Sequence, residues 1–176
     1  MAYLLDSNIF IQASNLHYGF DFCPAFWDWL EDANSRGKAF SISQVLDELS
    51  DGDDELSDWA KDRGDAFFKA TDATTLPRLA EVAQWVQSDG YEAAAINTFL
   101  QVADYYLVAY ALAHGHTVVT HEVPANTLRK IKIPNVCVGV RVSCINPYAM
   151  LRREGARFLL GRQSQREPGG NDGSER

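Results

Sequence analysis

The stretch Tyr3-Leu4-Leu5-Asp6-Ser7-Asn8-Ile9-Phe10 constrains the fold more than any other part of the chain. Three apolar residues meet an acid, then two small polar residues, then a second apolar run. The first run is too short for a helix and predicts a buried strand. Ser7 or Asn8 is placed to cap a helix that opens at Ile9. Asp6 then stands at the carboxyl end of a central strand, where open α/β sheets bind their ligands. A carboxylate there, beside a helix N-terminus, is placed to hold a metal ion. The competing reading is that Asp6 and Asn8 only cap the turn.

The remaining pattern alternates strand and helix. Helix is expected from Ile9 to Asn34, broken by a turn at Gly19–Pro24, with Pro24 opening the second part and Gly37 closing it. Ala39–Ser43 alternates like a strand. Ser43 then reads as the cap of a helix carrying Val45, Leu46 and Leu49 inward. After the polar loop Asp51–Glu55, helix resumes and ends near Gly64, and Phe67-Phe68 is either a very short strand or a buried loop. Helices follow from Pro77 to Asp89-Gly90, over Tyr91–Leu100, and from Asp104 to His114-Gly115. Thr117–Thr120 predicts a buried strand, Val136–Val138 and Ser143–Ile145 two more, and Asn146-Pro147 opens a last helix. This order predicts one α/β domain with a parallel sheet covered on both faces. From Gln163 to Arg176 the chain offers no core residues, so 163–176 is expected to be a disordered tail behind a domain spanning 1–162.

Four acids recur at comparable places: Asp6 after the first strand, Glu48 on the helix after the second, Asp104 at the start of an apolar helix, and Glu122 after Thr117–Thr120. In a parallel sheet these positions face one edge. Carboxylates converging there repel and raise one another's pKa. Such convergence makes physical sense around a divalent cation. Oxygen donors without a Cys or His pair suit Mg²⁺ or Mn²⁺. A water acidified by the metal is a nucleophile, and a phosphodiester is the natural substrate.

The segments YLLDSNIF, SQVLDEL, QVADYYLVAYALAHG and TVVTHE resemble the motifs of PIN-domain ribonucleases, the fold of VapC-like toxins. GFDFCPAFWDWL, KIKIPNVC and CINPYAML extend the resemblance toward one subfamily of small prokaryotic PIN proteins, from about Tyr3 to Leu151. The resemblance implies a three-layer α/β/α domain with a central parallel sheet of about five strands and a metal-dependent endoribonuclease acting on RNA. It implies an antitoxin protein that holds the enzyme inactive, and it allows a homodimer. The family's acids match Asp6, Glu48 and Asp104, with Ser7 or Asn8 as the small polar residue. Many members carry Asp after a Thr. Here Thr120 is followed by His121 and Glu122, so the fourth role passes to Glu122, with Thr120 as a supporting hydroxyl.

Each assignment has a plainer rival. Asp47 competes with Glu48, and the preference for Glu48 leans on periodicity and on the family match. Asp104 reads as a metal ligand or as a helix cap. His121 reads as a general base, a phosphate contact or a structural residue. Asp51–Glu55 lacks calcium-loop spacing and reads as a solvated loop. Phe22, Phe26, Trp27 and Trp29 fit a core or a partner surface better than a base-stacking surface. Late basic residues, namely Arg129, Lys130, Lys132, Arg141, Arg152, Arg153 and Arg157, are either phosphate contacts or a solvated face.

Composition bounds the rest. The net charge of −8 argues against nonspecific nucleic-acid binding through a broad basic face, though not against a local patch beside a metal. It also suits a basic partner peptide. No apolar stretch approaches the roughly 20 residues that span a bilayer, so no membrane is expected. Three cysteines without metal-ligand spacing predict reduced thiols and a cytoplasmic protein. The two rivals from other classes are a noncatalytic interaction protein and a phosphotransfer or receiver-like domain. The second would want a further acid close to Asp6 and a well-placed lysine after the late strand, and the chain has neither.

Overall fold

Five short parallel strands order the molecule: β1 (Tyr3–Leu5), β2 (Ala39–Ile42), β3 (Phe68–Lys69), β4 (Thr117–Val119) and β5 (Cys144–Ile145), arranged β3-β2-β1-β4-β5. The computed structural model describes residues 1–159. The expected tail at 163–176 and the last three residues of the expected domain lie outside them. Nine helices among the described residues surround the sheet as a three-layer α/β/α PIN-like domain. β1 lies at the centre, with Leu5 opposite Val119 and Leu4 opposite Phe40. Leu4, Leu5, Val118 and Val119 are fully buried, as a strand covered on both faces requires. Each such side chain contributes about 1.5–3 kcal/mol of burial.

The helix after β1 begins two residues earlier than expected. α1 is Ser7–Gln12, and Asp6 itself is the capping residue, yet its carboxylate makes no capping hydrogen bond. A π-helical turn, Ala13–His17, follows, and α2 (Pro24–Ser35) opens on proline. At β2 the cap is Ile42 rather than Ser43, whose hydroxyl meets Gln44 instead. α3 (Ser43–Ser50) buries Val45 and Leu49 and leaves Asp47 and Glu48 exposed. Asp54 caps α4 (Glu55–Phe67) by accepting from the Ser57 amide at 2.9 Å. The backbone kinks at Gly64 (φ 43°) and continues to Phe67, so β3 begins one residue later than Phe67. Phe10, Trp27, Trp59, Phe67 and Phe68 form a continuous aromatic core, and Phe22 alone of the early aromatic group Phe22, Phe26, Trp27 and Trp29 is exposed.

α5 (Leu76–Ser88) and α6 (Ala93–Phe99) lead to α7 (Ala103–His114), which ends on left-handed Gly115. α7 is apolar all round because it is wedged between β2, β4 and α5. One strand assignment fails. Val136–Val138 is helical, inside α8 (Ile133–Gly139), and the sheet's last strand is β5 alone. A short apolar β-branched run does not discriminate between strand and buried helix. Pro134 near the helix start was the available signal. α9 (Pro147–Arg153) opens as expected, with Asn146 accepting from the Ala149 amide at 2.8 Å.

Candidate active site

The carboxyl ends of β1 and β4 build the site. The Asp6 amide donates to the Val119 carbonyl at 3.0 Å, and the Thr120 amide to the Ile145 carbonyl at 3.1 Å, so the ladder carries Asp6 and Thr120 side by side past the strand ends. The Thr120 hydroxyl donates to Asp6 Oδ2 at 2.7 Å. Thr120 Oγ1 in turn accepts from Asn8 Nδ2 at 3.2 Å and from the Glu122 amide at 3.0 Å. With both lone pairs filled, its single proton is committed to Asp6. Asn8 also accepts the His121 amide at 3.1 Å, tying α1 to the loop after β4. Ser41 donates to the Leu5 carbonyl at 2.6 Å in full burial, fixing the end of β1 directly before Asp6. Sequence reading passed over Ser41; the only hint was a hydroxyl in an otherwise apolar strand.

Asp6 is 2% exposed. Its carboxyl is pushed up to about 6, chiefly by burial, then by the charges of Glu122 and Glu48, against the opposing Thr120 hydrogen bond. Asp104 lies in the first turn of α7, capped by Val102, so it is not the N-cap residue. It is pushed up to about 7 by burial and by Asp6, Glu122 and Glu48, with Lys132 opposing. No protein hydrogen bond to its carboxylate occurs among the described residues. Asp6, Glu48, Asp104 and Glu122 all line one cavity of about 580 Å³, where the charges of Glu48 and Glu122 act on both aspartates. Asp47 does not line it. Ser7 and Asn8 do.

Glu122 differs from the other three. Lys132 donates to its Oε1, and the Ile133 amide donates to its Oε2 at 2.9 Å. Both oxygens are therefore engaged, one by a cation and one by the N-terminus of α8. This anchor was invisible in sequence because its members are joined through an irregular loop. The loop also brings Arg129 and Lys130 to the cavity, while Arg141, Arg152, Arg153 and Arg157 are not among its lining residues. His121 points elsewhere: its ring lies 5.6 Å from that of His17 and 5.8 Å from that of Tyr148, and burial, then His17, lowers its pKa. It is absent from the cavity lining, so a general-base role gains no support.

Among the described residues no group of three or more acids, histidines or cysteines is arranged to hold a metal ion as it stands. The donor set nonetheless suits a hard cation. Buried Asp6 and half-buried Asp104, both with raised pKa values, face the cavity, Lys132 beside them is already paired with Glu122, and every donor is oxygen.

A parallel sheet in the order β3-β2-β1-β4-β5, with acids gathered at its carboxyl edge, defines a PIN-like domain. The fold is similar to that in the crystal structure of VapBC2 from Rickettsia felis bound to a DNA fragment from their promoter, with a TM-score of 0.52 and 19% identity over 83% of this chain and 98% of the matched chain. That identity speaks to the fold. The chain belongs to the family described as Domain of unknown function (DUF4411), which matches residues 3–158. No curated protein sequence matches. No helix among the described residues is long and apolar enough to cross a membrane. All three cysteines are free, and only Cys137 is fully buried.

Proposed function

We propose that the protein is a metal-dependent endoribonuclease, the toxin of a prokaryotic toxin–antitoxin pair. The observation that carries this reading is the meeting of four carboxylates on one open cavity, with Asp6 and Asp104 both raised chiefly by burial and then by their acidic neighbours. Strongly perturbed acids in a cleft mark functional sites. Asp6 and Asp104 hold Mg²⁺ or Mn²⁺, with Glu48 at the exposed side. Glu122, whose oxygens are both engaged, contributes through water and by holding Lys132 and α8 in place. The bound ion supplies a more acidic water and stabilises charge on the phosphoryl oxygens. Thr120, oriented by Asn8, keeps Asp6 turned toward the cavity and favours its ionised form. Arg129 and Lys130 at the rim fit RNA phosphates. The likeness to a VapBC2 assembly supports an antitoxin partner; a homodimer and a cytoplasmic setting belong to the same reading.

The test is cleavage of mixed RNAs with Mn²⁺ and with a chelator. Wild type cuts only with the metal, and Asp6→Asn and Asp104→Asn lose at least about 100-fold while staying folded. Full activity in either variant, or cleavage in the chelator, defeats the reading. A noncatalytic interaction protein predicts no cleavage at all.

A further inference from the structure

Three rings meet at the carboxyl edge of the sheet, outside the acid cavity. His17 closes the π-helical turn, His121 follows Thr120 in the loop after β4, and Tyr148 stands in the first turn of α9. Their centroids form a near-equilateral triangle: 5.6 Å for His17–His121, 5.8 Å for His121–Tyr148 and 6.1 Å for His17–Tyr148. None of the three lines the acid cavity. Among the described residues, the one hydrogen bond made by these side chains joins Tyr148 Oη and His17 Nε2 at 3.4 Å, longer than a good one. Two imidazoles and a phenol are thus left unspent. The turn that delivers His17 is itself unusual, since π-helical turns are rare and recur at functional sites.

We propose that His17, His121 and Tyr148 form a second metal site, for Zn²⁺ or another borderline divalent ion, separate from the hard-cation site of the acids. The spacing fits one ion. With Zn–N at about 2.0–2.1 Å, two imidazoles at near-tetrahedral angles hold their centroids about 5–6 Å apart, as His17 and His121 do. Neighbouring donor atoms on such an ion lie about 3.3 Å apart, close to the 3.4 Å between Tyr148 Oη and His17 Nε2. Imidazole suits zinc, copper and nickel, whereas the carboxylates suit Mg²⁺ or Mn²⁺. Three protein donors leave the fourth position to water. His17 and His121 are half-buried and Tyr148 is 38% exposed, so the ion enters from solvent and the phenol releases its proton there. The His121 amide donates to Asn8 Oδ1 at 3.1 Å, and Glu122 is the next residue. The ion therefore ties the π-helical turn and α9 to the loop that carries Glu122. The site stands or falls on metal binding, whatever the acid cavity does.

The experiment titrates Zn²⁺ by calorimetry at pH 7, with excess Mg²⁺, into the full chain carrying no affinity tag. Variants are His17→Ala, His121→Ala and Tyr148→Phe. Controls are Asp6→Asn, Cys23→Ser and His116→Ala, the last from the remaining histidine pair, whose His114 is already held by Asp72 at 3.0 Å. Expected is a saturable Zn²⁺ site that persists in all three controls. H17A and H121A should weaken it at least about 10- to 100-fold, and Y148F, which removes one oxygen, about 10-fold. Co²⁺ in place of zinc should show the visible bands of a tetrahedral ion in wild type and lose them in H17A. In a chelator, H17A and Y148F should melt within about 2 °C of wild type, which separates a lost ligand from a damaged fold. No saturable Zn²⁺ binding by wild type, or equal binding by wild type, H17A and Y148F, overturns the site. Loss of the zinc in D6N, C23S or H116A places the ion elsewhere and overturns it as well.

Discussion

Asp104→Asn should make the metal-free protein more stable, and only at neutral to alkaline pH. The carboxyl is raised from an ordinary 3.8 to about 7, first by burial and then by Asp6. A raised acid destabilises the fold once it ionises. Below pH 3.8 the folded and unfolded chains both hold the proton, and nothing is lost. Between there and about 7 the unfolded chain releases its proton first, so stability falls as pH rises, with the whole penalty present above about 7. At about 1.36 kcal/mol per pH unit, the interval corresponds to about 4 kcal/mol as an upper bound. Asp104 is partly open to solvent and coupled to Asp6, so screening reduces this to about 1–2 kcal/mol. Asparagine keeps the shape and removes the charge. For a domain of this size the gain is a rise in Tm of about 2–8 °C. Thermal melts in a chelator at pH 8 and pH 5 measure it. D104N should melt higher than wild type at pH 8 and within about 1–2 °C of it at pH 5. A lower melting temperature at pH 8, or an equal gain at both pH values, refutes the electrostatic argument.

Other substitutions separate the remaining roles. Thr120→Val removes the hydroxyl that lowers the Asp6 pKa and strands Asn8 Nδ2 and the Glu122 amide; a loss of about 1–3 kcal/mol in urea melts is expected, with the pH midpoint of Mn²⁺ binding shifted upward. Unchanged stability and midpoint would show the network to be idle. Glu122→Gln releases Lys132 and weakens the hold on α8, so it should destabilise by about 1–3 kcal/mol yet retain more cleavage than Asp6→Asn; equal loss of activity would make Glu122 a direct ligand. Gly139→Ala drives a methyl into Trp85, whose ring lies 2.0 Å from the added carbon, and should cost about 1–3 kcal/mol; a neutral melt would mean that α8 moves freely against α5.

How far the sequence carried these conclusions depended on where each interaction is encoded. Asp6 was legible because an apolar triplet ending in an acid specifies a strand end locally. Asp104 was legible for the same reason, at the entry of a helix apolar on every side. The parallel sheet followed from alternating strands and helices, though the order of its strands did not. The Glu122–Lys132 pair was not legible, since ten residues of irregular loop join its members and nothing in their spacing brings them together. Nor was the Ser41 bond to the Leu5 carbonyl, which depends on two strands lying side by side. The run at Val136–Val138 was misread because β-branched residues fit a strand, and burial against the rest of the core outweighed that propensity. The caps at Asp6 and Ile42 each shifted by one or two residues from the polar residues expected, and the Asp6 carboxylate bonds to Thr120 at the cavity instead of capping the helix.

Titrating Mn²⁺ into wild type and Asp6→Asn by calorimetry at pH 7, in two buffers of different ionisation heat, bears on the acid cluster most directly. The prediction is saturable binding by wild type with net proton release, because Asp104 near 7 and Asp6 near 6 are partly protonated before the ion arrives, and binding at least about 10-fold weaker in D6N. Heats that show no saturable binding, or binding that is equal in both proteins and independent of buffer, would contradict it.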